Sequence, residues 1–165
     1  MKIKLFGLTE ESIVDGKGIR YSVFTQGCPH KCEACHNPES WDFNKGEIND
    51  TDKIFEDFKE NPILKGITFS GGEPFMQAEA LFDLAKKVHS IKKDVTVYTG
   101  YTYEELMASN IPFAKELLSE TDVLIDGKFI LEQKNLELLF RGSENQRLID
   151  MNKTRETATV CLLEE

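Results

Sequence analysis

Hydrophobic and polar positions along the chain follow two periods, one typical of strands and one typical of helices. Short runs of apolar and β-branched residues predict strands over residues 3–6, 21–26, 66–70, 94–99 and 123–126. Apolar residues spaced three and four apart predict helices over residues 49–60, 76–90, 102–108 and 112–119. The helix over 76–90 has the clearest apolar stripe, formed by Ala80, Leu81, Leu84, Ala85 and Val88.

Strands that alternate with helices are typical of α/β folds with a parallel sheet. In such folds the carboxyl ends of the strands gather at one edge, where ligands bind. Polar or glycine-rich segments follow several of the predicted strands, namely Gly27-Cys28, Gly71-Gly72-Glu73, Thr99-Gly100 and Asp126-Gly127-Lys128. We therefore expect one composite site. Because the chain has no internal repeat and no linker rich in Pro, Gly or Ser, we expect residues 1–165 to form a single domain.

The charge balance argues against one class of partner. With a formal net charge of −9, the chain is a poor candidate for binding nucleic acid, which needs clustered Lys and Arg. No apolar run is long enough to cross a membrane. Residues 1–8 lack the apolar core and cleavage site of a signal peptide, so the cytoplasm is the expected compartment.

Three of the four cysteines cluster with the spacing C-x3-C-x2-C, at Cys28, Cys32 and Cys35. A short loop with three thiolates can wrap one corner of an iron–sulfur cluster and leave one iron without a protein ligand. The same thiolates, with His30 or His36, could instead make a structural Cys3His zinc site. These residues alone leave both alternatives open. The fourth cysteine, Cys161, lies in an apolar run and is expected in the core.

Residues 67–74 read Ile-Thr-Phe-Ser-Gly-Gly-Glu-Pro and predict a strand that ends in a glycine pair. Glycines let a ligand approach the main chain closely, and a carbonyl or Glu73 can accept hydrogen bonds from an ammonium group. The alternative is a tight strand-to-helix turn in which Glu73 is an exposed acid near the start of a helix.

The cysteine motif and the Ser-Gly-Gly-Glu-Pro loop, in this order and each after a strand, resemble the signature of the radical S-adenosylmethionine (SAM) superfamily. The resemblance implies a short, incomplete (β/α) barrel with parallel strands. It also implies that Cys28, Cys32 and Cys35 bind a 4Fe–4S cluster, whose open iron is chelated by SAM. The residues that the resemblance places against SAM are Ala34, Cys35 and His36 beside the cluster and Ser70, Gly71, Gly72 and Glu73 in the glycine loop.

Further segments narrow the resemblance. Residues 15–20, Asp-Gly-Lys-Gly-Ile-Arg, are similar to the D-G-P-G-I-R stretch of enzymes that activate glycyl radical enzymes. The Asp126-Gly127-Lys128 turn resembles their D-x-K pattern, which implies that Asp126 and Lys128 lie near the SAM carboxylate and ribose. Thr99 ends the preceding predicted strand, and we expect it to lie near the ribose as well. Residues 141–150 resemble the R-G-S-x-N-Q-R-x-I-D segment of proteins that activate anaerobic ribonucleoside-triphosphate reductases.

The resemblance implies an oxidoreductase that works anaerobically. It would cleave SAM reductively and abstract a hydrogen from a glycine of the reductase, with flavodoxin or ferredoxin as electron donor. An activase of another glycyl radical enzyme, or another small radical SAM enzyme, would share the cluster and the SAM site and differ in substrate. A zinc-stabilised binding module is the alternative from a different class.

Overall fold

The computed structural model of the chain, which describes residues 1–35 and 37–163, contains a seven-stranded sheet with helices packed against it. The strands are β1 (Lys2–Ser12), β2 (Arg20–Thr25), β3 (Glu47–Asp50), β4 (Gly66–Gly71), β5 (Asp94–Tyr98), β6 (Val123–Asp126) and β7 (Arg147–Asp150). The α-helices are α1 (Thr51–Lys59), α2 (Ala78–Ser90), α3 (Tyr103–Ala108), α4 (Ala114–Ser119) and α5 (Met151–Thr157). Short 3₁₀ helices lie at Pro38–Ser40, Pro74–Gln77 and Leu131–Gln133.

The centre of the sheet is parallel. The strand order is β3-β1-β2-β4-β5-β6-β7, and β2, β4, β5 and β6 run in the same direction. In this register Tyr21 lies beside Ile67, which lies beside Val95. All three side chains are buried. The α/β class predicted from the alternation of strands and helices is therefore confirmed for these strands.

The expectation of parallel strands is wrong at both sides of the sheet, which is mixed. β1 pairs antiparallel with β2, β3 with β1, and β7 with β6. A short loop, residues 13–19, joins β1 to β2, whereas a parallel pair needs a crossover of about a dozen residues or more. β3 and β7 occupy the two edges, and within the described residues no pairing joins them.

Helix α2 packs its predicted stripe into the core. Ala80, Leu81, Leu84, Ala85 and Val88 are all buried. The helix begins two residues later than predicted, because the preceding residues form the 3₁₀ turn Pro74–Gln77. The stripe thus fixes α2 against β4 and β5.

Helix α3 begins with a capping box. The Thr102 hydroxyl accepts a hydrogen bond from the amide of Glu105, and the Glu105 carboxylate accepts one from the amide of Thr102. This reciprocal pair satisfies amides at the helix start that would otherwise lack a partner. The helix that follows β5 therefore begins at a defined residue.

A buried guanidinium holds the loop before β2. Arg20 is 1% exposed and donates to the Ile67 carbonyl, to the Thr68 hydroxyl and to Asp94. It also donates to the carbonyl of Lys17. A buried charge must be fully bonded to be tolerated. Arg20 meets that condition by joining the 13–19 loop to β4 and β5.

The end of the chain differs from expectation in one respect. Cys161, expected in the core, is half-buried, with its sulfur 3.4 Å from the Thr157 hydroxyl. As far as residue 163, where the described chain ends, its segment makes only an isolated bridge to β7, between Leu162 and Ile149, and forms no continuous strand with a buried face. In the part of the chain that the structure describes, no helix has the length and apolar character needed to cross a membrane.

Candidate functional site

A cavity of about 590 Å³ opens at the carboxyl edge of the parallel strands. Its wall includes the three clustered cysteines and the loops that follow β4, β5 and β6. The predicted site residues that line it are Cys28, Cys32, Cys35, Ser70, Gly71, Gly72 and Thr99. The composite site expected from the sequence is thus a single space reached by several strand ends.

The cysteine loop leaves β2 and turns back over the cavity. The amide of Cys28 donates to the Trp41 carbonyl at 3.1 Å. The backbone takes a left-handed conformation at Lys31 (φ 51°) and again at Ala34 (φ 58°). Such conformations reverse the chain within few residues. These reversals direct three cysteines, spaced over a short loop, into the same cavity.

Two of the clustered thiols, those of Cys28 and Cys32, have raised pKa values and ionise less readily than a free thiol. Burial raises the pKa of the Cys28 thiol to about 11, and the Glu73 carboxylate acts in the same direction. Burial also raises the pKa of Cys32, against the opposing effects of the Phe129 amide and the Lys128 ammonium. A positively charged metal centre would reverse this balance, because thiolate is the form that binds metal.

The glycine loop is fastened to the end of β2. Gly71 has φ +95°, and a side chain there would collide with the backbone of Phe24 and Thr25. The amide of Gly72 donates to the Thr25 carbonyl at 2.8 Å, and the amide of Glu73 donates to the Gly27 carbonyl at 2.8 Å. These hydrogen bonds at the carboxyl ends of β2 and β4 place the glycine pair beside the cysteine loop.

The Glu73 side chain is turned into the protein. It is 0% exposed and accepts hydrogen bonds from His30, from Thr99 and from the amides of Phe75 and Gly100. The alternative of an exposed acid near a helix start is therefore wrong. Neither Glu73 nor Ala34 is among the described residues that line the cavity.

The Asp126-Gly127-Lys128 turn is held by partners that the sequence did not assign to it. Arg147 donates to both carboxylate oxygens of Asp126, at 3.0 and 2.5 Å, and the Tyr103 amide donates to the same carboxylate at 2.8 Å. Gly127 lines the cavity, whereas Asp126 and Lys128 are not among the described lining residues. Asp126 is buried and Lys128 is exposed.

Side chains of the segment over residues 141–147 form hydrogen bonds with the backbone of that turn. The Gln146 amide donates to the Gly127 carbonyl at 3.0 Å, and the Asn145 amide donates to the Lys128 carbonyl at 2.7 Å. The resemblance to a family segment marked these residues as candidates. No local sequence pattern indicates that the side-chain amides of Asn145 and Gln146 bind the backbone of the neighbouring turn.

An apolar rim, formed by Ile13, Val14 and Leu139, lies at the mouth of the cavity. These side chains line the cavity and are also 73%, 70% and 54% exposed. Sequence reasoning did not identify these residues. The available signal was the placement of apolar residues in two segments without helical or strand periodicity, which is unfavourable unless a partner covers them.

Known protein families match most of this chain. A family model described as a 4Fe-4S single cluster domain matches residues 14–149. Curated proteins named anaerobic ribonucleoside-triphosphate reductase-activating protein match most of the chain. That of Haemophilus influenzae is 38% identical over 142 residues, 81% of this chain and 89% of the relative. The corresponding figures are 39%, 142 residues, 81% and 89% for Vibrio cholerae, and 36%, 143 residues, 81% and 90% for Escherichia coli.

This chain belongs to the anaerobic ribonucleoside-triphosphate reductase-activating protein family. The family resemblance noted in the sequence is thereby confirmed, and so is the iron–sulfur class of the domain. The part of the chain that matches the 4Fe-4S domain model, residues 14–149, includes all three clustered cysteines and the glycine loop.

The residues of this reductase-activating family member fit an iron–sulfur cluster. Three free thiols face one cavity, and cysteine thiolate is the standard ligand of such clusters. The indole nitrogen of Trp41, also on the cavity wall, is buried without a hydrogen-bond partner among the described residues. An unsatisfied donor is costly, and the sulfur atoms of a cluster are acceptors that could satisfy it.

The zinc alternative is opposed by the family model, whose description is a 4Fe-4S single cluster domain. His30, one candidate zinc ligand, is hydrogen-bonded to Glu73 at 2.6 Å. His36, which is the other candidate and also an expected SAM contact, lies outside the described residues.

Proposed function

We propose that this protein is a radical SAM activating enzyme. It cleaves SAM reductively and abstracts a hydrogen from a glycine of anaerobic ribonucleoside-triphosphate reductase, which becomes a glycyl radical. The observation that carries the proposal is the common cavity of Cys28, Cys32 and Cys35 with the Gly71–Gly72 loop. Family membership adds the identity of the target, since the curated relatives are named for activating that reductase.

Cys28, Cys32 and Cys35 hold a 4Fe–4S cluster in this proposal. Three thiolates leave one iron without a protein ligand, and an open metal position is where substrate binds. When bound, the cluster supplies the electron that splits SAM into methionine and a 5′-deoxyadenosyl radical, and the protein supplies orientation and shielding. A flavodoxin or ferredoxin delivers that electron.

SAM occupies the cavity between the cysteine loop and the ends of β4, β5 and β6. The proposed contacts at the cavity wall are Ser70, Gly71, Gly72 and Thr99, with Ala34, Cys35 and His36 beside the nucleoside and Lys128 near the carboxylate and ribose. Asp126 supports this surface from behind, because its carboxylate is already bonded to Arg147 and Tyr103. Glu73 is enclosed in the same way by protein donors.

The protein substrate approaches across the apolar rim. Ile13, Val14 and Leu139 are exposed and continuous with the cavity that contains the cysteines. A glycine in a chain segment of the reductase must reach this cavity, so apolar side chains at its mouth are suited to contact that segment.

We further propose that residues 1–165 form one radical SAM domain with a short, incomplete barrel. The buried residues form a core cluster that extends from Ile3 on β1 to Met151 on α5, which supports one domain. The edge strands β3 and β7 leave the sheet open, and an open side suits a substrate as large as a protein.

Anaerobic activation tests the proposal. The protein is reconstituted with iron and sulfide, reduced, and incubated with SAM and the reductase. We expect methionine release and a glycyl radical signal by electron paramagnetic resonance (EPR). A reductase whose acceptor glycine is replaced by alanine should give no radical signal. Reconstituted protein that holds no iron, or whose reduced form leaves SAM intact, would overturn the assignment.

A further inference from the structure

A histidine within the cysteine loop is bonded to the glycine loop. His30 lies between Cys28 and Cys32, and its side chain is only 6% exposed. Its Nε2 lies 2.6 Å from Oε1 of Glu73. Because Glu73 accepts from main-chain amides as well, its carboxylate is an acceptor and His30 Nε2 must donate. The pair therefore links the two motifs directly.

The fold provides a specific space for the His30 ring. A Cβ built on Gly100 would lie 2.5 Å from Cδ2 of the ring and 2.7 Å from Nε2. The Tyr101 ring closes the other side in an edge-to-face contact, with centroids 4.5 Å apart. Residue 100 has no side chain to occupy this space, so the end of β5 accommodates the imidazole of the cysteine loop.

Glu73 joins three segments of the site. Oε1 accepts from His30, from the Gly100 amide at 2.8 Å and from the Thr99 hydroxyl at 2.9 Å. Oε2 accepts from the Phe75 amide at 3.0 Å and from the same hydroxyl at 3.0 Å. Both oxygens are thus engaged by protein donors, and the side chain is 0% exposed. A ligand ammonium would have to displace one of these donors in order to reach it.

We propose that His30 and Glu73 are positioning residues that set the place of the cysteine loop relative to Gly71, Gly72 and Thr99. The inference rests on the proposed function and deepens it, because this spacing decides how SAM lies against the open iron. The three cysteines suffice to hold the cluster. The pair instead fixes where the cluster sits relative to the surface that receives the methionine end of SAM.

Removal of the link should separate cluster binding from SAM binding. His30→Ala and Glu73→Gln keep all three thiols, so each variant should assemble a cluster with wild-type iron content. Both should bind SAM about ten- to a hundredfold more weakly, since His30→Ala removes a buried hydrogen bond to a charged group, and Glu73→Gln removes the charge and replaces one accepting oxygen with an NH2 that cannot accept. Gly100→Ala removes neither partner but displaces the ring, and should reproduce the effect of His30→Ala.

Two further variants serve as a rescue and a control. His30→Gln offers an amide donor near the position of Nε2, and should recover most of the SAM affinity. Glu33→Gln makes the same chemical change as Glu73→Gln at an exposed residue of the same loop, and should behave as wild type.

The measurements are iron per chain, SAM affinity by equilibrium dialysis, and the change in the EPR spectrum of the reduced cluster when SAM is added. Wild-type iron content with weakened SAM binding in His30→Ala, Glu73→Gln and Gly100→Ala supports the positioning role. Wild-type SAM affinity in these variants overturns it, and so does loss of the cluster from all three. If wild type and Glu33→Gln also fail to respond to SAM, the proposed function itself fails, which is a distinguishable result.

Discussion

Cys32 and Cys161 have the same side chain in different surroundings, and this difference predicts opposite effects of removing each thiol. Both are half-buried, so neither Cys32→Ala nor Cys161→Ala should alter stability by more than about 1 kcal/mol. Cys32→Ala should abolish cluster binding, because it leaves two thiolates at the cavity. Cys161→Ala should keep wild-type iron content. Iron analysis and far-ultraviolet circular dichroism check both expectations, and a Cys32→Ala protein that retained a stable cluster would contradict the ligand assignment.

Trp41 reports on the same cavity. It is the only tryptophan in the chain and lines the cavity with the cysteines. A cluster bound there absorbs light where indole emits, so reconstitution with iron and sulfide should quench the tryptophan fluorescence strongly. The Cys32→Ala variant, taken through the same treatment, should keep its emission. Unquenched fluorescence in an iron-loaded wild-type protein would place the cluster away from this cavity.

At the scale of single residues, the thiols and glycines that local motifs indicated as site residues line one cavity. The sequence did not predict that Glu73 would be enclosed. The donors to Glu73 include His30, 43 residues away, and Gly100, 27 residues away. Whether a carboxylate faces a ligand or the protein depends on such distant partners, and no local pattern encodes them.

At the scale of elements, strands and helices with strong periodicity were predicted well and weakly patterned ones were missed. β6 has the predicted bounds Val123–Asp126. β3 contains a single apolar side chain, Ile48, which is 62% exposed, so only its pairing with β1 defines it. β7 buries just Leu148 and Ile149 between polar residues. Four-residue edge strands of this kind carry too little alternation to distinguish them from loops.

His89 joins the end of α2 to the segment before β6, a contact that the sequence did not predict. It lies in the last turn of α2, and its ring nitrogens are 2.5 Å from Glu120 and 2.7 Å from Asp122. Asp122 also accepts from the Val95 amide and from Asn152 at the start of α5. The end of α2 is thereby bonded to the segment that leads into β6.

The triad of His89, Glu120 and Asp122 should make the stability of the protein depend on pH. The hydrogen bond from His89 to Asp122, assisted by Glu120, raises the pKa of His89 from 6.5 to about 9 against the opposing effect of burial. Because the folded-state pKa lies above the unfolded value, the stabilisation is complete below about pH 6.5 and is lost as the pH rises through 9. The expected loss is about 2 kcal/mol, reduced from the full shift because the ring is partly exposed.

Urea unfolding of the apoprotein between pH 6 and pH 9.5 measures this loss. The free energy of unfolding of wild type should fall with rising pH more steeply than that of His89→Gln, which cannot gain a proton. His89→Gln should also be less stable than wild type at pH 6 and should approach it above pH 9. Parallel pH profiles for the two proteins would show that the triad contributes no charge-dependent stability.

At the scale of the whole molecule, the site lies at the carboxyl ends of the parallel strands, and their amino ends provide a surface for control substitutions. The apolar rim lies at the carboxyl ends of the parallel strands, beside the cysteines. Ile63 precedes β4, at the amino end of a parallel strand, and is 60% exposed. The chain thus offers exposed aliphatic side chains both at the site and away from it, which permits a matched test of substrate docking.

Val14→Asp and Leu139→Asp should weaken the binding of the reductase, because each places a charge in an apolar contact. Affinity should fall about tenfold or more for each variant, as expected when a residue central to an interface is lost. Ile63→Asp should bind as wild type does. Reductive SAM cleavage without reductase should remain at the wild-type level in all three variants, since the cluster and the glycine loop are unchanged. Reductase binding by calorimetry and methionine release under strict anaerobiosis provide the two readouts. If Val14→Asp and Leu139→Asp bound and activated the reductase as Ile63→Asp does, the protein substrate would have to reach the cavity from another side.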